Sequence, residues 1–158
     1  MPRRAFGILL ALLSFTACSN DDAVLGVVGE NEAKVSLSGN VQPILSASCA
    51  VSFCHGSPLG APMSLLTADT YSSLVGATSC EAPPLLRVEA GSSATSYIVI
   101  KLEGTQSTVL GSGGCSACSL GGGTINDCGG RMPLGGPYLS DAGIQTIKDW
   151  IDQGAENN

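Results

Sequence analysis

Apolar positions recur at helical spacing in several stretches of this chain, most regularly near its end. Ile144, Ile147, Trp150 and Ile151 fall at i, i+3, i+6 and i+7, the stripe of an amphipathic helix. Ser140 precedes the stripe as an N-cap, Asp141 complements the N-terminal dipole, and Gly154 marks the stop. Val41, Ile44, Leu45, Ser48 and Cys49 make a second such face across residues 40–50. Asn40 serves there as N-cap, and Pro43 sits in the first turn, where its missing N–H breaks no helical bond. A third helix is expected over residues 94–103, capped by Ser92 or Ser93. It carries Tyr97, Ile98, Ile100, Lys101 and Leu102 on a broad face and stops at Gly104. The run from Tyr97 to Ile100 also has strand propensity; the Ser and Gly boundaries favour the helix. Residues 68–75 predict a shorter helix, capped by Thr67 or Ser64, with Tyr71, Leu74 and Val75 turned inward, and residues 87–91 read as extended. The pattern is that of an all-α domain, mostly helical and rich in loops.

The ends and one internal segment fall outside this pattern. Arg3 and Arg4 precede a short apolar run, Phe6 to Phe15, too short to span a bilayer, and the run closes in Thr16-Ala17-Cys18. Residues 1–17 therefore read as a lipoprotein-type signal peptide with Cys18 as the lipidated residue. An ordinary secretory signal cleaved near Ala17 is the plainer alternative. Residues 18–37 read as a flexible tether and residues 38–158 as the domain. Within that domain, residues 105–130 form a Gly/Ser/Cys-rich insertion that cannot bury a core of its own.

Export changes the meaning of the cysteines. Of 7 cysteines, Cys18 is set aside for the lipid, and the other six are Cys49, Cys54, Cys80, Cys115, Cys118 and Cys128. An even number in an oxidising compartment implies that each is paired or bonded to something. Cys80, Cys115, Cys118 and Cys128 are the disulfide candidates, with their connectivity open. Cys115-Ser116-Ala117-Cys118 has the C-x-x-C form of a thiol oxidoreductase but lacks the βαβ context that form requires.

Charge and composition narrow the partners. The full sequence carries a net charge of −6; without Arg3 and Arg4 the balance is −8, with no basic run. Nucleic acid is thus excluded as an expected partner. Aromatic residues make up only 4% of the chain while glycine accounts for 21 of its 158 residues, so the core needs support from disulfides or from a bound apolar group. The chain holds a single histidine, His55, and no Ser/His/Asp or paired-carboxylate arrangement, so hydrolytic chemistry has no foundation.

His55 stands directly after Cys54, and Cys49 lies five residues before Cys54. Two thiols followed at once by an imidazole are what covalent haem attachment requires: the sulfurs add to the vinyl groups and the adjacent ring meets the iron. The common spacing is C-x-x-C-H, and here it is C-x-x-x-x-C-H; the two extra residues can bulge outward without moving the ends. Met132, in Arg131-Met132-Pro133, offers a thioether as second axial ligand, with Met63 as its rival. A disulfide between Cys49 and Cys54 is the competing expectation, and a zinc site from Cys54, His55, Cys115 and Cys118 is a weaker one. Arg87 could pair with a haem propionate or, more plainly, with Glu89.

Several segments, in this order, resemble small exported bacterial cytochrome c-like proteins. They are Val41-Gln42-Pro43-Ile44-Leu45, Cys54-His55-Gly56, Arg87-Val88 with Gly91, Ser96-Tyr97, and Lys101-Leu102-Glu103-Gly104-Thr105. Arg131-Met132-Pro133-Leu134-Gly135-Gly136-Pro137, Leu139-Ser140, Trp150-Ile151 and Gly154-Ala155 follow. The resemblance covers residues 41–157 apart from the insertion. It implies a cytochrome c-like fold with first and last helices crossing, Ile44 and Leu45 against Trp150 and Ile151. It implies one covalent haem c held by Cys49 and Cys54, ligated by His55 and Met132. The implied role is electron transfer to redox partner proteins of the cell envelope rather than catalysis. The implied location is a lipid anchor facing the periplasm, with Ser19 after Cys18 favouring the outer membrane. The alternative is a haem-free, disulfide-stabilised domain of the same fold, serving as a binding or structural module of the envelope.

Overall fold

Ser36, not Asn40, opens the first helical segment. In the computed structural model, which describes residues 33–112, 118–120, 123–125 and 128–158, the Ser36 hydroxyl accepts from the backbone N–H of Gly39. Asn40 answers from the other side, its Oδ1 accepting the Ser36 N–H at 2.9 Å. A π-helical turn, Leu37–Val41, runs from this cap straight into α1, Gln42–Ser48. The domain therefore begins earlier than residue 38, the boundary expected from the sequence: Leu37 is buried, and Val35 packs against the core. The expected leader 1–17, the lipidation residue Cys18, the tether up to residue 32 and Cys115 lie outside the described residues.

The expected short helix appears as α2, Thr70–Leu74, and the third helix as α3, Tyr97–Glu103, after a single 3₁₀ turn at Ser93–Thr95. Neither Ser92 nor Ser93 caps α3. Ser93 is drawn to Asp152 at the end of the last helix, through both its N–H and its hydroxyl, at 2.7 and 2.8 Å. The first N–H groups of α3 find backbone partners instead: Tyr97 donates to Leu86 O and Ile98 to Arg87 O. Residues 86 and 87 can serve because their segment is extended, as expected, and bridges back to Val75 and Thr78. Gly104 then ends α3 with φ of 77°, the left-handed conformation that glycine adopts without strain.

The final helix, α4, spans Asp141–Asp152 and is capped by the Ser140 hydroxyl on Gly143 N–H, as its sequence predicts. Its stripe of Ile144, Ile147, Trp150 and Ile151 is buried against Leu37, Val41, Leu45, Val99 and Leu102. Each such side chain is worth about 1.5–3 kcal/mol on burial, so this seam between first, third and last helices dominates the stability. The C-terminal tail closes it, with Ser38 N–H on Asn158 O and Leu37 N–H on Asn158 Oδ1. The insertion carries a 3₁₀ segment, Gln106–Ser112, and an antiparallel hairpin of β1, Cys118–Leu120, and β2, Gly123–Ile125. The described chain is thus mostly helical with one small hairpin, and none of its helices is long and apolar enough to cross a membrane.

Candidate functional site

The turn that follows α1 is built from backbone hydrogen bonds rather than side-chain packing. His55 N–H returns to Cys49 O, Cys54 and Gly56 N–H both reach Val51 O, and Phe53 N–H meets Pro58 O. Two glycines make the crossing possible. A Cβ on Gly56 would lie 2.3 Å from Ala50 O, and one on Gly60 would lie 2.2 Å from Phe53 O. The outward bulge of the longer cysteine spacing is visible in Phe53, which has φ of 63° and is 77% exposed. Across this bend His55 N–H comes to within 3.2 Å of Cys49 O despite the intervening residues.

Both of these cysteines are free thiols, Cys49 buried and Cys54 exposed, so the disulfide considered for this pair is not formed. Cys80 and Cys128 are disulfide-bonded, as expected. Burial, with a smaller contribution from the neighbouring Cys54, pushes the Cys49 thiol up to about 11. His55 is half-buried beside them. Its Nδ1 lies 3.1 Å from Met63 O, and Leu65 N–H bonds His55 O, so ring and backbone are both fixed by the 63–65 segment. Burial lowers the imidazole pKa. The Met63 carbonyl opposes this, and the more distant charges of Arg87, Glu81 and Lys101 add smaller effects of either sign. An imidazole kept neutral, with Nδ1 on a carbonyl, presents Nε2 as a lone-pair donor, the arrangement typical of metal-ligating histidines.

Met132 reaches the core from the far side of the sequence. Its side chain is half-buried against the main apolar cluster, as is that of Met63. Met63 is committed to the His55 Nδ1 side through its carbonyl, whereas Met132 is held by its N–H on Lys101 O at 2.9 Å. Arg87 is half-buried and donates Nη1 to Ser73 O, at the end of α2. The suggested ion pair with Glu89 is not made; Glu89 takes the Thr95 hydroxyl instead. A cavity of about 260 Å³ lies between Glu103, Arg131, Asp141, Ile144, Gln145 and Lys148, none of them a site residue expected from the sequence.

Comparison with known proteins gives no matching family model, no matching curated protein and no matching solved structure. The site is accordingly read from its own chemistry. Two unbridged thiols, one imidazole and a half-buried thioether are present, the donor types that covalent haem attachment uses. Among the described residues, no three His, Cys, Asp or Glu side chains converge as a conventional metal site would need.

Sequence reasoning missed a polar cluster next to this site. Lys101 is buried at 5% exposure, and its ammonium bonds Glu81 Oε2 at 2.9 Å and Cys128 O at 2.8 Å. The Tyr97 hydroxyl lies within hydrogen-bond distance of the same two acceptors, 2.9 Å from Cys128 O and 3.1 Å from Glu81 Oε2. The available signal was a lysine four residues after a tyrosine on a face that otherwise reads as core. Gln42 was missed too: buried, it donates to Ser46 Oγ and Leu65 O, tying α1 to the segment that holds His55.

Proposed function

We propose that this chain is an electron carrier of the cell envelope with one covalently attached haem c. Cys49 and Cys54 would hold the macrocycle, His55 would be the proximal ligand and Met132 the distal one. The bound iron would supply reversible one-electron chemistry, with histidine and methionine raising its potential. The chain's own contribution is to keep His55 neutral and oriented by the Met63 carbonyl and to surround the site with apolar side chains. The observation that carries this reading is the contrast among cysteines: Cys80 and Cys128 are oxidised, while the pair beside the single histidine is not. The cytochrome c-like architecture belongs to the same proposal and is supported by the packing of Leu45 with Trp150 and Ile151. Lipidation at Cys18, a position facing the periplasm and redox partner proteins there follow from it.

A haem stain on a denaturing gel tests the proposal directly, since only a covalent haem survives denaturation. A positive band lost in Cys54→Ala supports it; a colourless, fully matured protein overturns it. The spectrum of Met132→Ala tests the distal ligand, and an unchanged spectrum removes Met132 from the assignment.

A second reading has its own observation. Cys49 is a member of the apolar core, packed with Leu45, and that core already encloses Trp150 completely. On this reading the chain is a haem-free envelope module, stabilised by its disulfides and helix seam.

A further inference from the structure

We infer that Arg131 is a positioning residue that fixes Met132 against the open end of α3. This rests on the proposed role of Met132 only for its functional consequence. The last carbonyls of a helix have no partner within it. At the end of α3 three of them find one: Ile100 O takes Gly104 and Thr105 N–H, Lys101 O takes Met132 N–H, and Leu102 O takes the Arg131 Nε–H at 2.8 Å. A cation at this end of a helix is also favoured by the dipole.

The side chain of Arg131 is located from three directions. Gly104 gives it room: a Cβ there would stand 2.7 Å from Arg131 Cδ. Tyr138 covers its other side, with the guanidinium carbon 4.1 Å from the ring centroid. Nε is on Leu102 O. Residues 131 and 132 therefore bind consecutive carbonyls of α3, one by side chain and one by backbone. With both in place, the Met132 side chain rests against the core. Without the Arg131 bond, the Met132 N–H would hold this stretch of loop to the helix end alone.

Amide hydrogen exchange on the protein as purified tests this. Arg131→Ala is expected to speed exchange at Met132 roughly tenfold or more, as loss of a charged hydrogen bond implies, while the Ile147 amide in α4 is unchanged. Tyr138→Ala gives a smaller effect of the same sign, and Tyr138→Phe, which keeps the ring face, gives none. Unchanged protection at Met132 in Arg131→Ala overturns the inference, and so does equal acceleration at Ile147, which would signal general destabilisation. Should Arg131→Ala fail to fold, Tyr138→Ala and Arg131→Lys decide it by the same comparison of two amides. In haem-loaded protein, Arg131→Ala is expected to weaken the methionine–iron signature in the direction of Met132→Ala. If Met132→Ala itself leaves the spectrum unchanged, the ligand assignment fails, and the amide comparison still judges Arg131.

Discussion

Lys101 and Glu81 meet 2.9 Å apart with their side chains only 6% and 15% exposed. They join α3 to the turn that carries Cys80, and the same ammonium holds the carbonyl of disulfide-bonded Cys128. The pair thus stands where the insertion returns to the helical core. One residue, Lys101, ties that return twice, since its own backbone oxygen also receives Met132 N–H.

Lys101→Met should cost about 1–3 kcal/mol, because it takes a charged hydrogen-bond donor from the half-buried Glu81 carboxylate and from Cys128 O. Glu81→Gln should cost less, since the amide oxygen can still accept from Tyr97 and Lys101. The double variant should lose less than the two singles together. Urea unfolding of all four proteins measures this; simple additivity would show that the two side chains do not act as a pair.

Gly56→Ala should be among the most damaging single-methyl additions. The new carbon would meet Ala50 O at 2.3 Å and Ala50 C at 2.7 Å, backbone that cannot rotate away. The turn would have to open, separating Cys54 and His55 from Cys49. A loss of several kcal/mol is expected, on the scale of buried steric strain, together with loss of any covalent haem. Gly91→Ala is the control: its φ of 85° makes alanine strained, but the space is empty. It should cost about 1–2 kcal/mol and leave the site intact.

The helices were legible because their information is local. Ser140, the Ile/Trp stripe and Gly154 lie within one sequence window, and α4 follows them closely. The first helix was placed too late because its cap is shared between Ser36 and Asn40, and the intervening π-helical turn has no period that reads as helix. The caps of α3 were misassigned because its partners are backbone atoms of residues 86 and 87 and, for Ser93, a carboxylate some sixty residues away. Cys49, Cys54 and His55 were found because their chemistry is carried by residue types in sequence. The Lys101–Glu81–Tyr97 cluster was not, because Glu81 and Cys128 reach the Tyr97–Lys101 face of α3 only through the tertiary path of the chain.

Ser140→Ala should lower stability by about 1 kcal/mol through loss of the cap on Gly143 N–H. Ser140→Asp should preserve most of it, a carboxylate serving equally well at this position. A cap that contributed nothing would leave the thermal midpoint of Ser140→Ala unchanged.

The two thiols should differ sharply in the haem-free protein. Cys54 is exposed, whereas Cys49 lies in the core with a thiol pushed up to about 11. Iodoacetamide at pH 8 should therefore modify Cys54 rapidly and Cys49 only as the chain unfolds, since the thiolate is the nucleophile. Peptide mass mapping over time distinguishes the two; equal rates would mean that the end of α1 is open. The same burial gives a pH dependence with a definite sign. The folded chain holds the Cys49 proton more tightly than the unfolded chain, whose ordinary value is 9.0. That stabilisation is complete below pH 9 and is lost as pH rises through about 11, because the unfolded state sheds its proton first. The stability difference between the wild-type chain and Cys49→Ala should accordingly shrink across this window by an amount on the order of 2 kcal/mol. A gap that stays constant up to about pH 11.5 would show that the Cys49 sulfur is solvated in the folded chain.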